Sequence, residues 1–105
     1  MRVYKLLRAA EWTAFDEAGS FAGSPDDLRD GFVHLSTAEQ LPGTFARYFA
    51  TEADAIVAVF NADALGSALR WEPSRGGALF PHLYRGLRHD EIVEISRAAD
   101  DPRLH

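Results

Sequence analysis

Two histidines lie in short segments that alternate apolar and polar residues, which is the pattern of a β-strand with one polar face. The first is His34 in the stretch DGFVHLST, where the hydroxyl residues Ser36 and Thr37 follow it. Because side chains two positions apart on a strand share a face, His34 and Ser36 are predicted to lie together. An imidazole titrates near neutral pH and can exchange protons with a substrate, so this stretch is one half of a candidate site.

The same stretch also fits purely structural roles. Ser36 and Glu39 have the spacing of a capping box, in which Ser36 would begin a helix. His34 would then be a core histidine bonded to a backbone carbonyl. Both roles stay open beside the functional one.

The second histidine, His82, lies in FPHLYR, where Phe80 and Tyr84 share its strand face. Such a face is typical either of packed aromatic side chains or of a pocket wall that uses the polar ring tips. We expect His34 and His82 to come from neighbouring or facing strands and to converge on one concave site.

A third segment, RWEPSRGG, places Arg75 before two glycines that allow a ligand to approach the backbone. This loop could bind a phosphate, and an exposed turn also explains it. Trp71 is predicted to anchor the core, with Glu72 facing the other way. No metal site is predicted, because the chain has no cysteine and its histidines lack HxxxH spacing.

The elements that must position these residues follow from periodicity and from turn signals. Strands are predicted at 2–7, 32–35, 55–60, 69–72, 79–85 and 91–95, and helices at 9–18, at 25–28 and from Ser36 onwards. Pro42 and Gly43 should kink or split that last helix, and the tail from Ala98 should be frayed. The chain is predicted to be one α+β domain, residues 1–105.

Composition excludes several classes of function. With a net charge of -5, the chain lacks the basic surface that a broad grip on nucleic acid requires. The absence of cysteine excludes disulfide scaffolds and cysteine nucleophiles. No apolar stretch approaches the roughly 20 residues that cross a bilayer, so a cytoplasmic protein is expected.

Taken together and in order, the motifs DGFVHLSTAEQ, RYF, WE and GGALFPHLYRGL closely resemble the bacterial domain of unknown function 952 family, over nearly the whole chain. The resemblance implies an ADP-ribosyltransferase-like fold, a split and mainly antiparallel β-sheet core with peripheral helices. Members of that superfamily, to which RNA 2'-phosphotransferase is related, bind NAD in a cleft without a Rossmann motif.

The resemblance also implies roles for individual residues. His34 looks like the histidine that opens the superfamily's H-Y-E signature and bonds a ribose hydroxyl. Tyr48 would correspond to the aromatic residue that stacks on nicotinamide, and the catalytic glutamate would be Glu72 or Glu94. The candidate catalytic residues are thus His34, His82 and Glu72, and the candidate ligand-binding residues are Ser36, Thr37, Tyr48, Arg75 and Tyr84.

Three functions fit these residues, each with a small nucleotide-like molecule as partner. The first is an NAD-dependent transferase of ADP-ribosyl or phosphoryl groups, with His34 on the ribose, Arg75 on phosphate and a glutamate inside the cleft. The second is a binding module that senses such a metabolite without turnover. The third is acid-base catalysis by the two histidines on another small substrate.

Overall fold

The apolar run AIVAVF becomes the central strand of the main sheet in a computed structural model that describes all residues, 1–105. This strand, β4 (Ile56–Asn61), pairs antiparallel with β1 (Arg2–Leu7) on one side and with β8 (Ile92–Arg97) on the other. Its side chains alternate between two hydrophobic clusters, Ala58 and Phe60 in one and Val57 and Val59 in the other. Burial on both faces explains why its apolar residues are continuous.

The predicted elements occur in the predicted order, and three short elements at 20–21, 62–65 and 87–88 were not predicted. The remaining elements are α1 (Ala9–Ala18), β2 (Ser20–Phe21), α2 (Pro25–Asp30), β3 (Val33–His34), α3 (Leu41–Tyr48), α4 (Ala62–Leu65), β5 (Leu69–Pro73), β6 (Leu79–Leu83) and β7 (Leu87–Arg88). All strand pairs are antiparallel, which confirms an α+β fold with mainly antiparallel sheets. None of the helices is both long and apolar enough to cross a membrane.

A second three-stranded sheet, in the order β3-β6-β5, carries both histidines. His34 and His82 are direct cross-strand partners, so their side chains lie on one face, as the sequence predicted. A single antiparallel bridge between Tyr4 and Ser36 joins this region to β1 of the main sheet. The site therefore lies where the two sheets meet.

Local capping signals position the first two helices as predicted. Gly19 ends α1 with a positive φ of 79°, a conformation that glycine adopts without strain. Ser24 caps α2 by accepting from the backbone N–H of Asp27, whose carboxylate in turn accepts from the Ser24 N–H. This capping box orders the helix next to the site.

The prediction that Ser36 begins α3, with Glu39 completing a capping box, is wrong. Thr37 and Gln40 bond each other's backbone N–H through their side chains, and no such bond joins Ser36 to Glu39. Ser36 instead pairs with β1 and directs its hydroxyl to Thr44 (3.0 Å). The helix begins only at Leu41, so Pro42 lies in its first turn, where proline loses no hydrogen bond and causes no kink.

Two further predictions are wrong. The tail forms two short 3-10 turns, because Asp101 is buried and binds Ser96 and Arg103 while Leu104 packs on the second cluster. Trp71 does not anchor the core, since it lies on the outer strand of its sheet and is 38% exposed. The residues on β6 fill that sheet's buried face instead, Leu83 among them.

Candidate functional site

A cavity of about 260 Å³ opens between α2, α3 and the strands β1, β3 and β6. Five of the residues singled out in the sequence line it, namely His34, Ser36, Tyr48, Arg75 and His82. They come from separate segments of the chain. The fold thus brings together most of the residues that were predicted to form one concave site.

Asp27 anchors the inner wall of this cavity. Its side chain is only 2% exposed, and its two oxygens accept from Lys5 Nζ (2.9 Å), the backbone N–H groups of Ser24 and His34, and the His34 ring. Burial opposes ionisation, but the bonds from His34 and the charge of Lys5 outweigh it, so the pKa of Asp27 lies well below its usual range. Asp27 is therefore a buried carboxylate inside the cavity wall.

His34 is held between two carboxylates. Its Nδ1 lies 2.6 Å from Asp27 and its Nε2 lies 3.0 Å from Asp30. Only the imidazolium form donates from both ring nitrogens, so it is the form that satisfies both oxygens at once. Asp30 is partly exposed and also pairs with Arg29, whereas Asp27 is buried and fixed. The two carboxylates that hold His34 thus differ in burial.

His82 is buried and held by a carboxylate from the outer strand β5. Its Nδ1 lies 2.8 Å from Glu72, and the same Glu72 oxygen accepts from the Tyr84 hydroxyl at 2.7 Å. The hydrogen bond from Tyr84 has the largest effect in lowering the pKa of Glu72, and the one from His82 lowers it further. The imidazole also stacks on Phe32, with ring centres 4.0 Å apart. Position and tilt of this ring are therefore both set by neighbours.

The other nitrogen of His82 is free. Nε2 makes no hydrogen bond, and yet no buried side-chain nitrogen or oxygen of the protein lacks a partner. This atom is therefore not completely buried, although His82 as a whole is only 4% exposed, and His82 is one of the residues that line the cavity. Because Glu72 accepts at Nδ1, a neutral His82 carries its proton there and presents the Nε2 lone pair outward.

Arg75 is the cation of the cavity wall that no carboxylate neutralises. Lys5 pairs with Asp27, Arg8 with Glu11 and Glu52, and Arg29 with Asp26 and Asp30. The Arg75 guanidinium instead donates to Thr44 Oγ1 (3.2 Å) and lies over the rings of Phe80 (4.9 Å) and Tyr48 (6.0 Å). The guanidinium is thus held in place, and several of its N–H groups have no acceptor within the protein.

Three predicted site residues lie off the cavity wall. Thr37 bonds Gln40 in the turn before α3, and Glu72 binds His82 and Tyr84 without lining the cavity. The other candidate for a catalytic glutamate, Glu94, pairs with Arg2 and Arg103 on the far sheet. Neither glutamate therefore occupies the position that a glutamate inside the cleft would need.

Sequence reasoning missed the carboxylates that hold His34. Asp27 is not among the predicted site residues, because its partners Lys5 and His34 lie 22 and 7 positions away in the sequence. A signal did exist, since Asp27 and Asp30 both belong to a short acidic helix directly before the histidine strand. A weaker signal was Lys5, a charged residue between Tyr4 and Leu6 in a strand whose other charged residue, Arg2, lies at its exposed end.

Comparisons with known proteins agree with this architecture. The crystal structure of protein CC0527 from Caulobacter crescentus is 45% identical, with 92% of this chain and 85% of that chain covered and a TM-score of 0.89. Its solution NMR structure is 46% identical, with 91% and 83% covered and a TM-score of 0.82. No curated protein matches the chain significantly.

None of these relatives carries an ADP-ribosyltransferase or RNA 2'-phosphotransferase name, so that part of the resemblance stays a hypothesis. The family model described as "Protein of unknown function (DUF952)" matches residues 6–95. That range includes every candidate site residue, and it confirms the family indicated by the sequence motifs. The chain therefore belongs to the DUF952 family.

Proposed function

We propose that the cavity binds a small anionic ligand of the ribose-phosphate or mononucleotide type. The observation that carries this proposal is the uncompensated charge of Arg75 among otherwise paired cations. A guanidinium offers a planar fork of donors that matches two phosphate oxygens. One N–H group of Arg75 donates to Thr44, and this hydrogen bond orients the remaining N–H groups of the guanidinium.

The rings beside Arg75 support a ligand that has a flat or sugar-like part. Tyr48 lines the cavity and is 49% exposed, and the Phe80 ring is a second aromatic neighbour of the guanidinium. Aromatic faces next to a cation suit a base or the apolar side of a ribose. The hydroxyl of Ser36 and the carboxylate of Asp30 add groups that can bind sugar hydroxyls.

Size favours a ligand smaller than a dinucleotide. A volume of about 260 Å³ lies just below the roughly 300–1,000 Å³ typical of small-molecule sites. NAD, the cofactor suggested by the resemblance, would then occupy the cavity with only one half. We therefore place ribose phosphates and mononucleotides first and NAD or ADP-ribose second.

Transfer of an ADP-ribosyl group would need a glutamate facing the ligand. The glutamate of the cavity wall is Glu11, and its carboxylate binds the backbone N–H and the guanidinium of Arg8. No observation thus favours that reaction over simple binding. The ADP-ribosyltransferase-like fold stays part of this proposal only as a source of ligands to test.

A titration of ¹⁵N-labelled protein followed by NMR tests the proposal. The probes are ribose 5-phosphate, AMP, ADP-ribose, NAD and nicotinamide. We expect AMP or ribose 5-phosphate to shift the amide signals of Ser36, Thr44 and Arg75, and expect added salt to weaken binding. Nicotinamide, which has no phosphate, should leave these signals unchanged.

The matched variants are Arg75→Ala and Arg97→Ala, each of which removes one positive charge. Arg97 is exposed on β8 and pairs with Asp100, away from the cavity. Loss of the guanidinium fork should weaken phosphate binding at least about tenfold in Arg75→Ala, since a charged hydrogen bond contributes about 1.5–3 kcal/mol. Equal affinities of the two variants, or no response to any phosphate probe, would contradict the proposal.

A further inference from the structure

We infer that the cavity is catalytic, with His82 as general base in the hydrolysis of a ribose phosphoester and with Glu72 as its positioning residue. The inference rests on the proposed phosphate binding at Arg75. It assigns a reaction to that site. Glu72 contributes by holding His82 in position and does not itself contact the ligand.

Orientation is the first argument. A histidine that acts as a general base directs the lone pair of one ring nitrogen at the substrate. Its other ring nitrogen carries the proton and is held by a hydrogen-bond acceptor. His82 meets this condition, because Glu72 engages Nδ1 at 2.8 Å while Nε2 is unpartnered at the cavity. Tyr84 donates to the same Glu72 oxygen at 2.7 Å and fixes that carboxylate in turn.

Proximity to the anion is the second argument. Phe80 and His82 lie two positions apart on one face of β6, which separates their Cα atoms by roughly 7 Å. The Arg75 guanidinium carbon lies 4.9 Å from the Phe80 ring centre. A phosphate on Arg75 would thus lie beside Phe80, on the same cavity wall that carries His82.

A second imidazole completes the acid-base pair. The ring centres of His34 and His82 are 5.7 Å apart, and His34 has a carboxylate at each ring nitrogen. As the imidazolium it holds a proton to donate. Asp30 is partly exposed and shared with Arg29, so a ligand oxygen can replace it at Nε2.

The reaction step balances without a cofactor. His82 Nε2 takes a proton from water as the water oxygen attacks phosphorus, and the P–O bond to the sugar oxygen breaks. That sugar oxygen takes the proton of His34 and leaves as a hydroxyl. Exchange of protons with solvent then returns both imidazoles to their starting forms, and the net change is addition of one water to the ester.

Adenosine 2',3'-cyclic monophosphate is the probe, because its cyclic ester combines a ribose, a phosphate and a reactive P–O bond. Turnover is followed by ³¹P NMR as the cyclic phosphate becomes a 2'- or 3'-monophosphate. Binding is followed separately by amide shifts. The expected result is binding with turnover by the wild-type protein.

The variants separate catalysis from binding. His82→Gln should lower kcat about a hundredfold or more while amide shifts still report binding, since general acid-base catalysis contributes about 10²–10⁴. Glu72→Gln should lower kcat at least about tenfold without raising KM. In its ¹⁵N spectrum the His82 ring should lose the single Nδ1–H tautomer, which a merely structural role would not require. Arg97→Ala serves as the control with unchanged kcat.

Each outcome has one meaning. Binding of the cyclic phosphate without turnover, or turnover that survives in His82→Gln, overturns the catalytic inference and leaves the proposed binding function standing. Turnover lost in His82→Gln together with all binding also overturns it, because His82 would then be a ligand-binding residue. No binding of any phosphate removes the proposed function itself.

Discussion

Replacing Asp27 by asparagine should destabilise the protein strongly although the two side chains have the same shape. Asp27 Oδ2 accepts from Lys5 Nζ and the Ser24 N–H, and Oδ1 accepts from the backbone N–H and the ring of His34. An amide has one oxygen only. Whichever way it points, its NH₂ group faces two donors that lose their acceptor.

The expected cost follows from these contacts. Lys5 is 6% exposed, and in Asp27→Asn it would keep only uncharged partners, among them the carbonyl of His34. Removing one member of a buried ion pair costs about 3–5 kcal/mol, because the other charge stays buried without compensation. Since small domains have about 5–15 kcal/mol of total stability, the variant should be folded but marginal.

Urea denaturation followed by tryptophan fluorescence and circular dichroism measures this free energy of unfolding. Asp26→Asn is the matched control, since Asp26 lies in the same helix turn but is 60% exposed in its pair with Arg29. It should cost less than about 0.5 kcal/mol. A cost below about 1 kcal/mol for Asp27→Asn would refute the assignment of Asp27 as the structural anchor of His34.

The pH dependence gives an independent check with a definite sign. The pKa of Asp27 is lowered on folding, so its stabilising contribution is complete above the ordinary carboxyl value of 3.8 and is lost as the pH falls further. The difference in stability between wild type and Asp27→Asn should therefore shrink in the acid range. A difference that grows on acidification would contradict the argument.

Three further predictions concern stability. Thr37→Ala should cost about 1 kcal/mol by urea denaturation and Glu39→Ala almost nothing, because the capping pair is Thr37 with Gln40. Asp101→Asn should remove about 2 kcal/mol above pH 4, a difference that narrows as the pH falls through about 2, since Arg103 lowers the pKa of Asp101 from 3.8 to about 2. Gly86→Ala should lower the melting temperature, because a Cβ there would lie 2.8 Å from the Phe21 carbonyl oxygen.

The fold was largely predictable from local patterns. The strands at β1 and β4 and the helix α1 were found because their periodicity or apolar runs extend over six to ten residues. The prediction that the two histidines come from neighbouring or facing strands was confirmed, and the structure adds that they are direct cross-strand partners. Such features depend on residues that are close together in the sequence, so they can be predicted from the sequence alone.

The misassigned elements share a physical cause, which is competition between local signals and distant partners. Ser36 satisfies the rule for an N-cap, but it pairs with Tyr4, 32 positions away, in an extended bridge, and Thr37 and Gln40 form a turn before the helix begins at Leu41. The tail is polar and looks mobile, but Asp101 finds Ser96 and Arg103. Hydrogen bonds between residues of different elements determine the conformation of Ser36 and of the tail. The local sequence pattern carries no information about those partners.

The candidate site shows the same division between side chains and the groups that tune them. Both imidazoles were found from their strand pattern, but the carboxylate at each Nδ1 comes from another element, Asp27 from α2 and Glu72 from β5. Those carboxylates differ in burial, and only His82 keeps a nitrogen free at the cavity. Two histidines that look alike in sequence thus become unlike in chemistry, with His34 suited to donate a proton and His82 to accept one. Exchange of the two carboxylate environments, rather than of the histidines, is what would reverse these roles.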